Sequence, residues 1–382
     1  MTGHNTTMNH IPLAQALAEA VRTTGVPEHI ARSFAKVPRH RFLPDVVWSE
    51  SGERIDRAED PQAWMHAAYT DQTLITQLDD GRPGGPGMAT SSSSAPSAMA
   101  RMMHAARIEP RSPVLEVGTG TGYGAALLSE LVGDKQVTSV EIDQQLADTA
   151  RGSLYAAGYV PSVILGNGER IELPRVRRVL STCAVASVPW AWFDQVHPRG
   201  LVVTPWSPSP GSPHGVLAVL ERYGSGLAEG RFVGPLRCMW SRAQRWPSQP
   251  APGPEARAEH TEVVSGDPRG PWLTDDTSLL LSLLLPHWSH GTGATPGATE
   301  PHVWLSSSRC ESWARLHADG RIEQGGRRLL VHEAREALRR WRSLGEPGVD
   351  QFGLTLDRTP GKQSVWVDSP QNVLWDTQRQ LT

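Results

Sequence analysis

Cysteine and long apolar runs are scarce in this chain of 382 residues. Its three cysteines, Cys183, Cys238 and Cys310, lie far apart and form no CxxC pair or Cys/His cluster, which argues against a disulfide framework and a zinc module. The longest strongly apolar run, residues 279–285, stops at Pro286 and is too short to span a bilayer. The N-terminal segment lacks the basic start and apolar block of a signal peptide. We therefore expect a cytoplasmic protein with no metal site and no membrane partner.

A strong excess of charge of either sign is also missing. The 37 basic and 40 acidic side chains leave a formal net charge of −3. This balance disfavours a strongly basic nucleic-acid-binding protein, so we expect no nucleic-acid partner. Arginine outnumbers lysine 34 to 3, which we interpret as the coding bias of a GC-rich genome. Hydrophobic residues make up 38% of the chain, enough to form a packed core.

Strands and helices are predicted to alternate from residue 114 onwards. Two predicted helices precede this region, and residues 79–96, rich in Gly, Ser and Pro, suggest a flexible loop. The predicted strands are 114–117, 137–142, 162–165, 178–182 and 201–206, with helices near 124–131 and 143–157 and a closing strand pair at 215–223 and 230–240. Strands and helices at this spacing predict an α/β fold with a mostly parallel sheet that is covered on both faces.

A break in composition suggests a second domain. Residues 246–261 are rich in Pro and Ala and show no periodicity, so we predict a linker between a first domain, 1–245, and a C-terminal α+β accessory domain, 262–382. A helix is predicted over residues 329–345. Six arginines lie in or just before it, where they either bind an acidic peptide or simply form a solvated face: Arg327, Arg328, Arg335, Arg339, Arg340 and Arg342.

The sharpest local signal is the segment VLEVGTGTGYG, residues 114–124. A buried strand leads into a turn with Gly118, Gly120 and Gly122, and a helix follows, so the backbone can approach a ligand closely. The dinucleotide pattern GxGxxG would need glycine where Tyr123 stands, and no GxxxxGK[ST] loop is present. Glu141 ends the next predicted strand, 19 positions after Gly122, where nucleotide-binding units place an acceptor for ribose hydroxyls. Together these features predict a nucleoside site.

These segments, together with VTSVEID and GNGE (166–169), resemble those of Rossmann-like S-adenosylmethionine-dependent methyltransferases, and more narrowly the protein-L-isoaspartate O-methyltransferase family. VPRHRFLP (37–44) is similar to that family's lead-in segment. The resemblance covers about residues 28–240. It implies S-adenosylmethionine as cofactor, S-adenosylhomocysteine as product, and the following binding residues: Glu116, Gly118, Thr119, Gly120, Gly122 and Tyr123 near the methionine moiety, Glu141 and Ile142 near the ribose, and Gly166, Asn167 and Gly168 near the adenine.

The resemblance also bears on which atom is methylated. Residues 181–185 read STCAV, similar to the family's Thr-Ala-Ala stretch, whereas adenine-N6 methyltransferases have an Asn/Asp-Pro-Pro-aromatic motif there. A carboxylate acceptor is already ionised at neutral pH and needs no strong general base. Ser94 and Ser92 match the family's Ser and Thr before x-Pro, so we predict that they orient the carboxylate. The alternative for this serine run is a flexible linker.

The predicted extension after the linker, together with residues 181–206 and SVWVDSP, resembles a subgroup that modifies ribosomally made peptides of the graspetide, lanthipeptide or imiditide type. The implied reaction is methylation of an Asp side chain in a precursor peptide, whose ester then cyclises to aspartimide. In that case the C-terminal domain would recognise the peptide away from the reacting residue. General repair of isoaspartyl proteins is the first alternative. A cofactor-binding scaffold without turnover, and a methyltransferase for another substrate, are the others.

Overall fold

The computed structural model describes residues 9–208, 215–224, 226–245, 252–253, 256–272, 274–285, 287–294, 299–307, 309–358 and 362–377. The chain forms two compact units. The first contains the described residues up to Cys183 and Pro189–Val203, and the second contains Ala184–Val188 and the described residues from Thr204 onwards. No helix among the described residues has both the length and the apolar character that a membrane crossing requires.

The first unit combines helices with two groups of strands. Its helices are α1 (Ile11–Arg22), α2 (Glu28–Lys36), α3 (Pro61–Ala68), α4 (Pro96–Ala105), α5 (Tyr123–Val132), α6 (Gln144–Ala157) and α7 (Trp190–Gln195). Its strands are β1 (Val46–Trp48), β2 (Arg54–Asp56), β3 (Leu74–Leu78), β4 (Ala89–Ser93), β5 (Val114–Val117), β6 (Val137–Glu141), β7 (Ser162–Leu165), β8 (Val176–Ser181) and β9 (Val196–Trp206), the last three residues of which belong to the second unit.

A parallel sheet forms the centre of the first unit. Its strand order is β9-β8-β5-β6-β7, and β5 pairs in parallel with β6 on one side and with β8 on the other. Every residue of β5 is buried, as expected for a strand covered on both faces. The chain order reverses between β5 and β8, and at such a switch point ligands bind beside the carboxyl ends of the strands. The predicted α/β fold with a parallel sheet is therefore confirmed.

A small antiparallel sheet corrects the serine part of the predicted flexible loop 79–96, whereas residues 82–88 have no regular structure. The order of this sheet is β2-β1-β3-β4, and β4 contains the first three of the four consecutive serines. Leu74 of β3 is paired with Ser93 of β4, and the Thr76 hydroxyl lies 3.2 Å from that of Ser91. Small polar residues are typical of loops, but here a neighbouring strand satisfies their backbone groups, which composition alone does not reveal.

The described residues of the second unit form two groups of antiparallel strands and two α-helices. Its helices are α8 (Asp275–Leu284) and α9 (Leu330–Ser343), and its strands are β10 (Val216–Tyr223), β11 (Leu227–Pro235), β12 (His260–Val263), β13 (Trp288–Gly293), β14 (His302–Ser307), β15 (Trp313–Leu316), β16 (Arg321–Gly325), β17 (Phe352–Asp357), β18 (Gln363–Val367) and β19 (Val373–Asp376). One sheet has the order β12-β16-β15-β14-β13, and the other strands follow the order β10-β11-β17-β18-β19. Trp272, Trp288 and Leu281 lie in one buried core with the apolar face of α9, so these tryptophans are core residues.

The structure divides the chain differently from the predicted boundaries 1–245, 246–261 and 262–382. The strands β10 and β11, predicted to close the first domain, belong to the second unit, where β11 pairs with β17 from Leu227↔Asp357 to Arg231↔Gly353. Of the predicted linker, residues 246–251, 254 and 255 lie outside the described residues, and β12 begins at His260. Composition marked a Pro-rich segment of the chain, but it carries no information about which strands pair across that segment.

Candidate active site

The glycine turn lies at the carboxyl end of β5, beside the switch point. Gly118, Gly120 and Gly122 have φ angles of +96°, +53° and +88°, values that favour glycine. A Cβ atom on Gly118 would lie 2.6 Å from Thr182 Oγ1, because Thr182 follows β8 and its hydroxyl donates to the Gly118 carbonyl oxygen at 2.8 Å. The turn therefore needs glycine for its conformation and for its close approach to the neighbouring strand end.

A cavity opens above this turn. It is a small pocket that is open to solvent. Its walls contain the predicted site residues Ser92, Ser94, Glu116, Gly118, Thr119, Gly120 and Tyr123, together with Ser93, Met99, Thr121, Gly124 and Thr182. The serine run and the glycine turn, about 25 residues apart in sequence, thus face the same space. A Cβ built on Gly120 would lie 3.6 Å from the Ser92 carbonyl oxygen, which confirms how closely they approach.

Glu141 at the end of β6 organises the turn. Its Oε2 atom accepts a hydrogen bond of 2.8 Å from the Gly120 N–H, and its Oε1 atom accepts bonds from the N–H groups of Ile142 and Asp143 at 2.9 and 3.1 Å. The side chain is 5% exposed. A carboxylate offers about four acceptor positions, so these three bonds leave capacity for a further donor such as a ribose hydroxyl.

Glu116, within β5, is the most deeply buried carboxyl group of the cavity. It is fully buried, its Oε2 atom accepts a bond of 2.5 Å from Ser139, and its Oε1 atom has no hydrogen-bond partner. Burial, with the nearby Glu141 charge as a smaller contribution, raises the pKa of Glu116 to about 8 against the effect of the Ser139 bond. A buried oxygen without a partner in the cavity wall is suited to a cationic or N–H-bearing ligand.

Glu141 reaches the turn through Gly120 but does not itself line the cavity, and neither do the remaining predicted binding residues. Gly122 faces helix α6, since a Cβ there would lie 3.3 Å from Ala150 Cβ. Ile142 is 42% exposed. Gly166 donates to the Glu141 carbonyl oxygen at 2.8 Å, and the Asn167 side chain accepts from Glu169 N–H at 2.9 Å. Gly168 approaches Val117, where a Cβ would lie 2.6 Å from Cγ1. Gly122 belongs to the turn after β5, whereas the other four residues follow β6 and β7; the assignment of Gly122 to the methionine moiety and of the others to ribose and adenine stays a prediction.

Arg39 is a site residue that the sequence analysis missed. It lies in a short 3-10 helix, Arg39–Phe42, and is fully buried. Its guanidinium donates to the carbonyl oxygens of Ser93 and Ser94, both at 3.1 Å, and lies 5.8 Å from the centre of the Tyr123 ring. Its position in VPRHRFLP marked it only as part of a lead-in segment. An arginine is usually exposed, and no sequence pattern indicated its burial.

Two other polar side chains near the site have structural environments. Burial raises the pKa of the Cys183 thiol to about 12, so the reactive thiolate is absent at neutral pH. The His40 ring nitrogen Nδ1 lies 2.6 Å from the Tyr69 hydroxyl, and burial lowers the pKa of His40 to about 4. Cys183 lies two residues after the end of β8 with an unactivated thiol, and His40 is held in place by Tyr69.

The parallel sheet, the glycine turn and the acidic ends of β5 and β6 define a Rossmann-like S-adenosylmethionine-dependent methyltransferase. The family model described as protein-L-isoaspartate(D-aspartate) O-methyltransferase matches residues 13–231. The chain belongs to this family, and S-adenosylmethionine is its cofactor.

Several known proteins resemble the chain. The protein-L-isoaspartate O-methyltransferase of Hyperthermus butylicus is 33% identical over 190 residues, which cover 47% of this chain and 67% of that protein. That of Ignicoccus hospitalis is 33% identical over 188 residues, 48% of this chain and 76% of that protein. A solved structure named protein-L-isoaspartate O-methyltransferase aligns with 93% of this chain and 100% of its own, with a TM-score of 0.53 and 20% sequence identity. The fold of the second unit therefore has a counterpart within a chain of that name.

The residues of the cavity fit this cofactor. The unpartnered Glu116 oxygen and the remaining acceptor capacity of Glu141 match a ligand that carries an ammonium group and ribose hydroxyls. Gly124 leaves the Glu116 side chain room, since a Cβ there would lie 2.2 Å from Oε1. The sequence alone indicated Glu116, Glu141 and the glycines. It did not indicate Thr182, although the position of Thr182 directly after a predicted parallel strand was a usable signal, since adjacent parallel strands end at the same edge of a sheet.

Proposed function

We propose that this protein transfers the methyl group of S-adenosylmethionine to the free carboxylate of isoaspartyl residues in peptides and proteins. The observation that carries the proposal is the single cavity in which the Ser92 and Ser94 positions face the glycine turn. The family description and the names of the relatives support an isoaspartyl substrate. They favour this reading over the precursor-peptide function expected from the sequence.

The proposed reaction requires the protein mainly to orient the substrate carboxylate and the cofactor. Bound S-adenosylmethionine supplies an electrophilic methyl carbon. A substrate carboxylate is ionised at neutral pH, so no group of the site has to remove a proton. The Ser94 hydroxyl donates a hydrogen bond to one carboxylate oxygen and so fixes the direction of the other, with Ser92 as a second donor. Glu116, Glu141 and the turn from Gly118 to Gly122 hold the cofactor, and Asn167 meets the adenine edge. The walls of the cavity limit the access of water.

The test is mass spectrometry of defined peptides incubated with the protein and S-adenosylmethionine. Three peptides of one sequence carry isoaspartate, aspartate or the neutral isoasparagine at the same position. We expect a methyl ester, or the cyclic imide formed after its loss of methanol, only on the isoaspartyl peptide. A protein that binds the cofactor but modifies none of the three, or modifies the aspartyl peptide alone, contradicts the proposal.

A second candidate function is methylation of an Asp side chain in a dedicated precursor peptide, whose ester cyclises to aspartimide. One observation favours it: Arg327, Arg340 and Arg342 at helix α9 are exposed and form no ion pair among the described residues. They are suited to an acidic peptide. The other three arginines are paired, Arg328 with Glu333, Arg335 with Glu262 and Arg339 with Glu336.

The two candidates differ in their requirement for these arginines. Substitution of Arg327, Arg340 and Arg342 together by Ser should leave methylation of short isoaspartyl peptides unchanged under the first proposal. Under the second, the triple variant should lose activity on an acidic precursor encoded beside this gene. Methylation of an ordinary Asp in such a precursor, without activity on isoaspartyl peptides, would decide for the second candidate.

A further inference from the structure

The most unusual charged group of the first unit is Arg39, because it is buried without a carboxylate partner. All of its hydrogen bonds go to neutral oxygens: the carbonyl oxygens of Ala68, Thr70, Gln72, Ser93 and Ser94, and the Ser93 hydroxyl, at 3.0 to 3.4 Å. Among the described residues no acidic side chain forms an ion pair with it. A buried charge without a counter-ion costs free energy, although hydrogen bonds offset part of that cost.

The guanidinium is nevertheless charged at neutral pH. Burial lowers the pKa of Arg39 to about 10, against the smaller effects of Tyr123, Asp71 and Tyr69. Asp71 is the only carboxylate among these groups. It is exposed and accepts a hydrogen bond of 2.8 Å from the Ser97 N–H, so it belongs to the start of helix α4 and leaves Arg39 without a direct counter-ion.

The position of Arg39 determines which side of the cavity its positive charge affects. Arg39 binds the backbone of Ser93 and Ser94, which line the cavity, and its other neighbour, Tyr123, lines the same cavity. The carboxyl groups of Glu116, within β5, and Glu141, at the end of β6, lie on the side of the glycine turn. The positive charge is therefore behind the serines, where a substrate carboxylate has to be oriented.

We propose that Arg39 is a positioning residue that holds the Ser93–Ser94 backbone in place and whose buried charge makes the serine side of the cavity selective for an anionic acceptor. The substrate carboxylate supplies a counter-charge that no described side chain provides to Arg39. This inference rests on the proposed carboxylate substrate. In a poorly hydrated site a single charge acts over several ångströms, so Arg39 contributes without touching the substrate.

The test compares two variants that lose similar hydrogen bonds but differ in charge, Arg39→Lys and Arg39→Gln. The readout is a ratio: the dissociation constant of the isoasparaginyl peptide divided by that of the isoaspartyl peptide, both measured by calorimetry with S-adenosylhomocysteine bound. In Arg39→Gln we expect the ratio to fall by about tenfold, whereas in Arg39→Lys it should stay within about twofold of the wild type at pH 7. If the role of Arg39 is purely structural, both variants should bind the two peptides more weakly by the same factor. The ratio of dissociation constants would then be unchanged in both variants, which would overturn the inference.

A substitution at an exposed residue, Asp71, tests the inference even if the Arg39→Gln variant does not fold. Asp71→Asn keeps an acceptor for the Ser97 N–H but removes the negative charge that partly offsets Arg39. The ratio should then rise by about twofold, and an unchanged or lower ratio would contradict the inference. If the wild type itself does not prefer the isoaspartyl peptide, the proposed function fails; if the wild type prefers it and Arg39→Gln keeps that preference, only the role of Arg39 fails.

Discussion

Two sides of the cavity bury ionisable groups of opposite kind, the Glu116 carboxyl group and the Arg39 guanidinium, and neither group forms an ion pair with another described side chain. On the wall formed by the ends of β5 and β6, Glu116 accepts one hydrogen bond from Ser139 and leaves one oxygen without a partner. On the serine wall, Arg39 donates only to carbonyl and hydroxyl oxygens. Ligands of opposite charge would complete these walls: a cationic cofactor beside the carboxyl groups and an anionic acceptor beside the guanidinium.

The walls also differ in how the sequence encodes them. The acidic wall comes from one continuous segment and the strand that follows it, so the order strand, glycine turn, helix, strand predicts it. The serine wall joins β4 to Arg39, which are more than 50 residues apart, and its key contacts run from a side chain to backbone carbonyl groups. Substitutions on the acidic wall are expected to have larger effects than those on the serine wall.

The acidic wall should be most sensitive at Gly124. A Cβ atom there would lie 2.2 Å from Glu116 Oε1, so Gly124→Ala pushes the carboxyl group out of place. Overpacking of this kind costs about 1–3 kcal/mol, and we expect a loss of cofactor affinity of up to about 100-fold, measured by calorimetry with S-adenosylhomocysteine.

The matched control for that variant is Gly152→Ala. Gly152 also lies within a helix, α6, but nothing lies within 4 Å of the Cβ position. Alanine is favoured over glycine inside a helix by about 1 kcal/mol, so this control should raise the melting temperature and leave affinity unchanged. Equal effects of the two substitutions would mean that the space beside Glu116 is not needed.

Substitution of Glu141 should cause the second-largest loss of cofactor affinity. Its carboxylate accepts three backbone N–H groups, from Gly120, Ile142 and Asp143. Glu141→Gln replaces one oxygen by an N–H donor, which then faces a backbone donor, and a bond to a charged group contributes about 1.5–3 kcal/mol. Cofactor affinity should fall by roughly tenfold or more. Glu172→Gln, at an exposed position, is the control, and affinity equal to that of the control would remove Glu141 from the binding site.

The sequence predicted most of the cofactor side of the molecule and little of the substrate side. The five parallel strands, the turn and Glu141 follow from local patterns of burial and glycine spacing. The strand β4 and the burial of Arg39 depend on pairing with β3 and on packing between distant segments. Similarly, the pairing of β11 with β17 across the Pro-rich segment could not be read from composition.

Ser94→Ala tests the serine wall with a smaller effect of a different kind. The hydroxyl is proposed to orient the acceptor, so its loss should lower kcat about tenfold while cofactor affinity stays constant. Ser97→Ala, three residues further and outside the cavity lining, is the control. Steady-state kinetics on the isoaspartyl peptide measures the first quantity and calorimetry the second. Parallel losses in both would place Ser94 on the cofactor side instead.

The smallest expected effect is the release of a proton when the cofactor product binds. The pKa of Glu116 is raised to about 8 by burial, so its carboxyl group is mostly protonated at pH 7 before a ligand binds. A cationic ligand favours the ionised form, and binding should release close to one proton per molecule at pH 7 and almost none above pH 9. Affinity should therefore rise as the pH increases from 6 to 8 and then level off. Calorimetry with S-adenosylhomocysteine in two buffers of different ionisation enthalpy counts the protons, and Glu116→Gln should abolish the release. A pH-independent affinity with no proton release in the wild type would mean that cofactor binding does not change the protonation of Glu116, which would contradict its assignment as the group that ionises beside the ligand.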